Sequence, residues 1–142
     1  MAFQFFSGQE LTFLINIVFA LAIGFIVGIE RERKGKPAGI GTHAFVIAGA
    51  MLLTMLSQAM APNDAARIAA NIVTGIGFLG AGMIIRAEGD KIANLTTAAN
   101  VWFSAAIGMA IGFGWYAISI MGAVFILLIP QIQYTFGNGK KH

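Results

Sequence analysis

The sequence predicts an all-α fold: a polytopic bundle of five transmembrane helices, with the N-terminus outside and the C-terminus in the cytoplasm. Three observations predict it. Of the 142 residues, 58% are hydrophobic and only 11% are charged, against about 25% charged residues in soluble domains. The apolar residues fall into five long runs. The basic residues fall almost entirely on one side of the resulting topology. The length allows one transmembrane domain.

The first two predicted spans cover residues 11–29 and 43–61. At about 1.5 Å per residue, nineteen helical residues reach roughly 29 Å, which is enough to cross the hydrocarbon core. Asn16 is the only strongly polar residue of the first span. Residues 30–42 between the spans contain four basic residues together with Pro37, so they are expected to form a basic loop.

The third predicted span, residues 66–85, is expected to be the central helix of the bundle. Its four glycines would weaken a helix in water, whereas in lipid small residues let neighbouring helices approach closely. The fourth and fifth spans cover residues 95–112 and 115–131. The residues expected to pack helices together are small and glycine-rich: Gly24, Gly28, Gly75, Gly77, Gly80, Ala81, Gly82, Gly108 and Gly112.

Basic residues set the predicted orientation. Five spans put the termini on opposite sides, and Arg67 is then the one basic residue on the outer side. The side that carries most of the positive charge is expected to be cytoplasmic. The basic residues predicted on that side are Arg31, Arg33, Lys34, Lys36, Arg86, Lys91, Lys140 and Lys141.

The sequence argues against several functional classes. Gly75-x-Gly77-x-x-Gly80 has the spacing of a dinucleotide-binding fingerprint, but it lies inside an apolar run and not between a strand and a polar helix start. The sequence has no cysteine, and it shows no nucleophile–base pair, so we expect no enzyme activity. The net charge of +3 is attributed to cytoplasmic loops, so no nucleic-acid partner is expected.

Polar residues in or beside the spans form the candidate site, and two interpretations of them remain open. They are cross-helix hydrogen-bonding groups, or they line a polar path whose carboxylates meet a hard cation such as Mg²⁺. Glu30 to Arg33 are either a solvated helix end or a cytoplasmic mouth, and the lone His43 is expected to be structural. No cofactor is predicted, and metal ligands stay unassigned. The candidate residues are Glu30, Glu32, Asn71, Thr74, Thr96, Thr97 and Asn100.

The chain resembles the MgtC/SapB family of bacterial inner-membrane proteins. Four segments carry the resemblance: Gly28-Ile29-Glu30-Arg31-Glu32, Lys36 to His43 (KPAGIGTH), Arg67 to Gly82 (RIAANIVTGIGFLGAG), and Leu95 to Gly108 without Asn100 and Val101 (LTTAA, WFSAAIG). The chain departs from the family pattern at Gly41, Asn71 and Asn94, where the family usually has Arg, Gln and Gly. We expect a short, SapB-like member without the soluble C-terminal domain of the longer members.

The resemblance implies a multi-pass protein of the bacterial inner membrane with a part in magnesium homeostasis and stress adaptation, in a family associated with virulence. It implies regulation by helix contacts with a larger membrane machine, such as an ATP synthase or an ion pump. The alternative is a direct Mg²⁺ transporter or channel that works as a homo-oligomer. Five short spans are too few to bury every small-residue face within one chain. We therefore expect a homodimer, with the third or fourth helix at its interface.

Overall fold

The computed structural model describes residues 8–85 and 93–137, and within them it contains five α-helices and no strands. The helices are α1 (Glu10–Arg33), α2 (Ile40–Met60), α3 (Ala65–Ile85), α4 (Leu95–Gly112) and α5 (Tyr116–Gly137). By length and composition α1, α2 and α4 can cross a membrane, and α3 and α5 contain shorter apolar stretches at Ala69–Ile84 and Tyr116–Ile132. The predicted all-α class is confirmed, and the arrangement is compatible with a helical membrane bundle.

The centre of the bundle is α4, and not α3 as the sequence had suggested. Helix α4 contacts all four other helices, whereas α3 packs against α2 and α4, and α5 packs against α1 and α4. Most residues of α4 are buried, while most described side chains of α3 are exposed. The physical reason is that α4 presents small residues on several sides, so neighbours can approach it from all of them.

The core consists of two apolar clusters that share α2 and α4. The larger one joins α1, α2, α4 and α5, and the smaller one joins α2, α3, α4 and the turn before α2. Because both clusters use the central pair, the loss of packing at α4 would loosen both sides of the bundle. The buried residues of the larger cluster are Ala20, Ile23, Val27, Ile47, Met51, Ile107, Ile111 and Ile126, and those of the smaller are Ala38, Val46, Ala50, Ile72, Val101 and Ala105.

Glycines on α1 and α4 let the backbones of these helices touch α2. A Cβ atom built on Gly24 would lie 2.6 Å from the Ala44 Cα, and one on Gly112 would lie 2.6 Å from the Thr54 Cβ. Gly28 lies against the Ile40 backbone, and Gly108 lies against the Ile47 carbonyl. Since real Cβ atoms do not approach so closely, a larger residue at any of these positions would push two helices apart.

The connection between α1 and α2 is shorter than the predicted loop. Helix α1 continues through the charged residues to Arg33, and α2 begins at Ile40. Glu and Arg are good helix formers, so the charged run extends the helix instead of ending it. Gly35, at φ +63°, then terminates α1 by a Schellman motif, in which Gly35 N–H donates to Glu32 and Lys36 N–H to Arg31.

Part of the predicted topology falls outside the described residues. The charged loop expected between the third and fourth spans is described only at Ala93 and Asn94, and four of the basic residues that set the predicted orientation lie outside. These are Arg86, Lys91, Lys140 and Lys141.

Candidate functional site

A row of polar side chains on α4 faces α1 and α2. Thr97, Asn100 and Ser104 recur at intervals of three and four residues, so they lie on one side of the helix. All three are buried, with at most 8% of their surface exposed. Because polar groups in a dry interface need partners, this row determines which residues of α1 and α2 must be polar.

Arg31 of α1 supplies the first partner. It is buried, with 1% of its surface exposed, and its Nη2 donates a hydrogen bond to Thr97 Oγ1 at 3.1 Å. The sequence left two interpretations of this charged run open, a solvated helix end and a cytoplasmic mouth, and for Arg31 the solvated end is wrong. The signal that was missed is helical spacing, because Arg31 follows Val27 and Gly24 on the buried side of α1.

His43 of α2 supplies the second partner, at Ser104 further along the same polar row of α4. Its side chain is fully buried, and Nδ1 lies 2.9 Å from Ser104 Oγ. The Ser104 hydroxyl also donates to the Asn100 carbonyl at 2.9 Å. A hydroxyl has one proton, so if Ser104 donates it to Asn100, His43 Nδ1 must be the donor in the other contact.

Glu30 lies beside Arg31, at the end of this polar layer. Its carboxylate pairs with Lys34 one helical turn later, and its side chain is only 15% exposed. Thr96 lies half-buried at the start of α4. Glu30, Thr97 and Asn100 are therefore the members of the predicted set that lie in or beside one layer, together with Arg31 and His43.

Glu32 points elsewhere and has a structural contact. Its Oε1 accepts a hydrogen bond from the Ile40 backbone N–H at 2.9 Å. Ile40 is the first residue of α2, so the carboxylate of one helix caps the N-terminus of the next. A residue that was predicted to face a cation thus holds the α1–α2 turn together.

Asn71 and Thr74 are not brought to this layer. Both are exposed on α3, and the Thr74 hydroxyl donates to the Ala70 carbonyl in its own helix at 3.1 Å. Six of the seven predicted residues are therefore divided between the buried layer, the cap of α2 and the outer surface of α3, and the seventh, Thr96, lies half-buried at the start of α4.

A second polar cluster connects α1 to α5 near the start of α1. It was not part of the predicted site, although Asn16 had been noted as polar. Asn16 is buried, its Oδ1 accepts a hydrogen bond from the Tyr116 hydroxyl at 2.6 Å, and its Nδ2 lies 3.3 Å from Met55 Sδ. Tyr116 also packs edge-on against Phe19. These contacts fix how α5 lies on α1 and satisfy the amide at both ends.

The outer surface of α3 has no neighbour within the described chain. Cβ atoms built on Gly75, Gly77 and Gly82 would meet nothing within 4 Å, whereas one on Gly80 would touch Ala98 at 3.7 Å. Ala70, Thr74, Gly77 and Ala81 recur at intervals of three and four residues and are all exposed. We call these four residues the α3 stripe.

Metal-ligand chemistry in the described residues is sparse. Residues 8–85 and 93–137 contain no group of three or more His, Cys, Asp or Glu side chains placed to hold a metal ion. In the buried layer the carboxylate of Glu30 is next in sequence to the buried Arg31, and it pairs with the ammonium of Lys34, which is exposed. Because these two cations offset its negative charge, the layer is unfavourable for a dication.

Comparison with known proteins gives a consistent family match. A model of the MgtC family matches residues 17–137. A curated protein of Escherichia coli strain K12, named putative magnesium transporter YhiD, is 39% identical over 135 residues, covering 87% of this chain and 62% of that protein. Protein MgtC of Salmonella typhimurium is 40% identical over 115 residues, covering 81% of this chain and 49% of MgtC.

An uncharacterised protein of Haemophilus influenzae is 37% identical over 142 residues, covering 90% of this chain and 60% of that protein. The chain thus spans about half to three-fifths of the length of these curated relatives. No solved structure matches the chain.

Proposed function

Because the chain belongs to the MgtC family, we propose that it is a non-enzymatic protein of the bacterial inner membrane that serves magnesium homeostasis. We propose further that it acts by helix-to-helix contact with a larger membrane protein, of the kind of an ATP synthase or an ion pump. The name of its relative, putative magnesium transporter YhiD, supports the link to magnesium. The chain spans only part of the length of its relatives, so any activity of those whole proteins is only proposed for this chain.

One observation carries the choice of contact over conduction: the buried polar layer contains a fixed positive charge. Arg31 is held against Thr97 and is almost fully buried. A guanidinium stays protonated under all physiological conditions. A dication that passed between α1, α2 and α4 would meet this charge at short range and low dielectric, which is strongly repulsive.

The α3 stripe supports the proposed mode of contact. In lipid, apolar surface alone gives little drive for association, and helices associate through small residues that permit close backbone approach. Gly77 in the stripe has open space around it, and Phe78 beside it is 79% exposed. A partner helix can therefore approach the α3 backbone without displacing any part of the bundle.

The proposal is tested first by Mg²⁺ flux. Purified protein in liposomes is expected to give no Mg²⁺ uptake above that of empty liposomes, whereas a strain that lacks the protein should grow poorly at low Mg²⁺ and be rescued by the gene. Uptake by the protein alone would contradict the proposed mode of action.

The contact surface is tested by a matched pair of substitutions. Gly77→Leu adds bulk to the α3 stripe, and Ala22→Leu adds similar bulk to an exposed position of α1. We expect both variants at wild-type abundance in the membrane, with rescue of growth lost only in Gly77→Leu. Equal rescue by both variants would remove α3 from the mechanism.

Direct transport through a homo-oligomer is the second candidate, and Asn71 is the observation that favours it. Its side chain is exposed on α3 and forms no hydrogen bond with the described residues. A polar amide that faces hydrocarbon is unfavourable, and an oligomer assembled through α3 would enclose it. Glu30, Glu32 and Asn100 would then have to line the same path.

Glu30→Gln distinguishes the two candidates, because it keeps the shape of the side chain and removes its charge. If Glu30 is a cation ligand of a transport path, growth rescue should disappear while the protein accumulates normally. If Glu30 acts as the ion-pair partner of Lys34, as its contact with Lys34 favours, membrane abundance should fall instead. Normal abundance together with normal rescue would take Glu30 out of both schemes.

A further inference from the structure

Three helices contribute a buried polar atom that has no hydrogen-bond partner among the described residues. These atoms are Arg31 Nε on α1, His43 Nε2 on α2 and Asn100 Nδ2 on α4. The carboxylate oxygens of Glu30 on α1 also have no hydrogen-bond partner, but that carboxylate forms an ion pair with Lys34. The three residues have at most 8% of their surface exposed. Buried polar groups in folded proteins almost always have a partner, which is protein or ordered water.

The three side chains are linked through the polar row of α4. Arg31 is bonded to Thr97, and His43 contacts Ser104, which bonds the Asn100 carbonyl. Asn100 thus lies on α4 between the residue that holds Arg31 and the residue that holds His43. The charge of Arg31 also acts electrostatically on the His43 ring.

The chemistry of the three atoms selects the ligand. Arg31 Nε and the Asn100 amide nitrogen are donors only. With its proton on Nδ1, the neutral ring of His43 offers a lone pair at Nε2, which is an acceptor. A ligand that serves all three must accept two hydrogen bonds and donate at least one.

We propose that water is bound inside the bundle between α1, α2 and α4, where it bridges Arg31 Nε, Asn100 Nδ2 and His43 Nε2. A water molecule needs two to four polar partners to be stable in a protein interior, and this layer supplies three. The inference is independent of the proposed function, since it concerns how the polar layer is satisfied and not what contacts α3.

Other ligands fit less well. A metal cation would face two N–H donors and the charge of Arg31, and the Glu30 carboxylate that could attract it is already paired with Lys34, so the donor set is unfavourable for a cation. A simple anion would accept from Arg31 and Asn100 but would meet a lone pair on neutral His43. The backbone carbonyl of Ala38 is a competing hydrogen-bond acceptor for the His43 ring, but Nε2 does not reach full hydrogen-bonding geometry with any described atom.

The chain contains a matched control for this inference. Asn16 is also a buried asparagine on a transmembrane helix, with 1% of its surface exposed. Its amide contacts Met55 Sδ through Nδ2 and the Tyr116 hydroxyl through Oδ1. Because Asn16 has protein partners on both sides and Asn100 Nδ2 has none, water should contact only the second.

The test is transfer of magnetisation from water to side-chain nitrogens by solid-state NMR, with the isotope-labelled protein in lipid bilayers. We expect transfer to Arg31 Nε and Asn100 Nδ2 to build up severalfold faster than transfer to Asn16 Nδ2. The ¹⁵N shifts of His43 should show a protonated Nδ1 and an unprotonated Nε2. In Asn100→Leu, transfer to Arg31 Nε should fall severalfold while Asn16 is unchanged.

Three results would overturn the proposal. Transfer to Arg31 and Asn100 as slow as transfer to Asn16 would mean that the layer is dry. A protonated Nε2 on His43 would place its hydrogen bond on a carbonyl and leave no acceptor for water. Shifts of the Arg31 and Asn100 signals on titration with MgCl₂ or with inorganic phosphate would assign the layer to an ion.

Discussion

At the scale of the residue, Arg31 is the most informative position, because it is a buried cation on a mostly apolar helix face. Asn16, Ala20, Gly24, Val27 and Arg31 follow one another at intervals of three or four residues and are all buried. Arg31 therefore continues the packed side of α1 instead of ending it. Its hydrogen bond to Thr97 joins the end of α1 to the start of α4.

Replacement of Arg31 by Ala should destabilise the protein, while the same change at Arg33 should not. Arg31→Ala removes a charged hydrogen bond and leaves a cavity, which together are expected to lower the free energy of unfolding by about 2 kcal/mol or more. Arg33 is exposed two residues later, and Arg33→Ala should stay within about 0.5 kcal/mol. Thermal unfolding in mild detergent measures both, and equal shifts would contradict the buried role of Arg31.

Residue types were predictable from the sequence, but their partners were not. Thr97 and Asn100 could be named as polar residues of a span, yet nothing in the sequence pairs Thr97 with Arg31, sixty-six positions away.

Asn94 illustrates what backbone geometry adds. It adopts φ +64°, a left-handed conformation that glycine adopts freely and asparagine tolerates better than most residues. The departure from the usual family glycine is therefore conservative in backbone terms.

At the scale of the element, hydropathy located the helices but could not rank them by depth in the bundle. The predicted spans 66–85 and 95–112 correspond closely to α3 (Ala65–Ile85) and α4 (Leu95–Gly112). Glycine content suggested α3 as the centre, yet α4 occupies it. Both helices are apolar and rich in small residues, so composition alone does not reveal which of them has neighbours on every side.

Glycine substitutions distinguish the two helices by stability. Gly108 lies against the Ile47 carbonyl, and a Cβ there would come within 2.9 Å of the Ala50 Cβ. Gly108→Ala should therefore lower the free energy of unfolding by about 1–3 kcal/mol through overpacking. Gly77 has open space, so Gly77→Ala should be neutral or stabilising by up to about 1 kcal/mol, because alanine favours the helix. A loss of stability in Gly77→Ala that exceeds the loss in Gly108→Ala would reverse the assignment of the central helix.

At the scale of the whole molecule, the predicted orientation can be tested at the two ends of α2. The turn after α1 contains exposed Lys36, and the turn after α2 contains exposed Asn63. The 21 residues of α2 separate these turns by about 31 Å, close to the hydrocarbon thickness.

We expect Lys36→Cys to resist an impermeant maleimide in intact cells and Asn63→Cys to react, because positive charge favours the cytoplasmic side. The sequence has no cysteine of its own, so the background is clean. The opposite labelling pattern would invert the orientation.

The packing of the helices also leads to a prediction about assembly. Since α4 is enclosed by its neighbours, α3 is the better candidate of the two helices expected at a homodimer interface. A two-fold axis brings a surface against its own copy, so a residue near the axis meets itself. Single cysteines at Thr74, Gly77 and Ala81 in the α3 stripe should then form disulfide-linked dimers in native membranes under mild oxidation. This requires Cα atoms within about 7 Å of each other.

Phe125→Cys and Leu128→Cys on the exposed side of α5 are the controls, and they should stay monomeric. Dimers through α5 would move the interface, and a monomer in every variant would leave the α3 stripe to a different protein or to lipid.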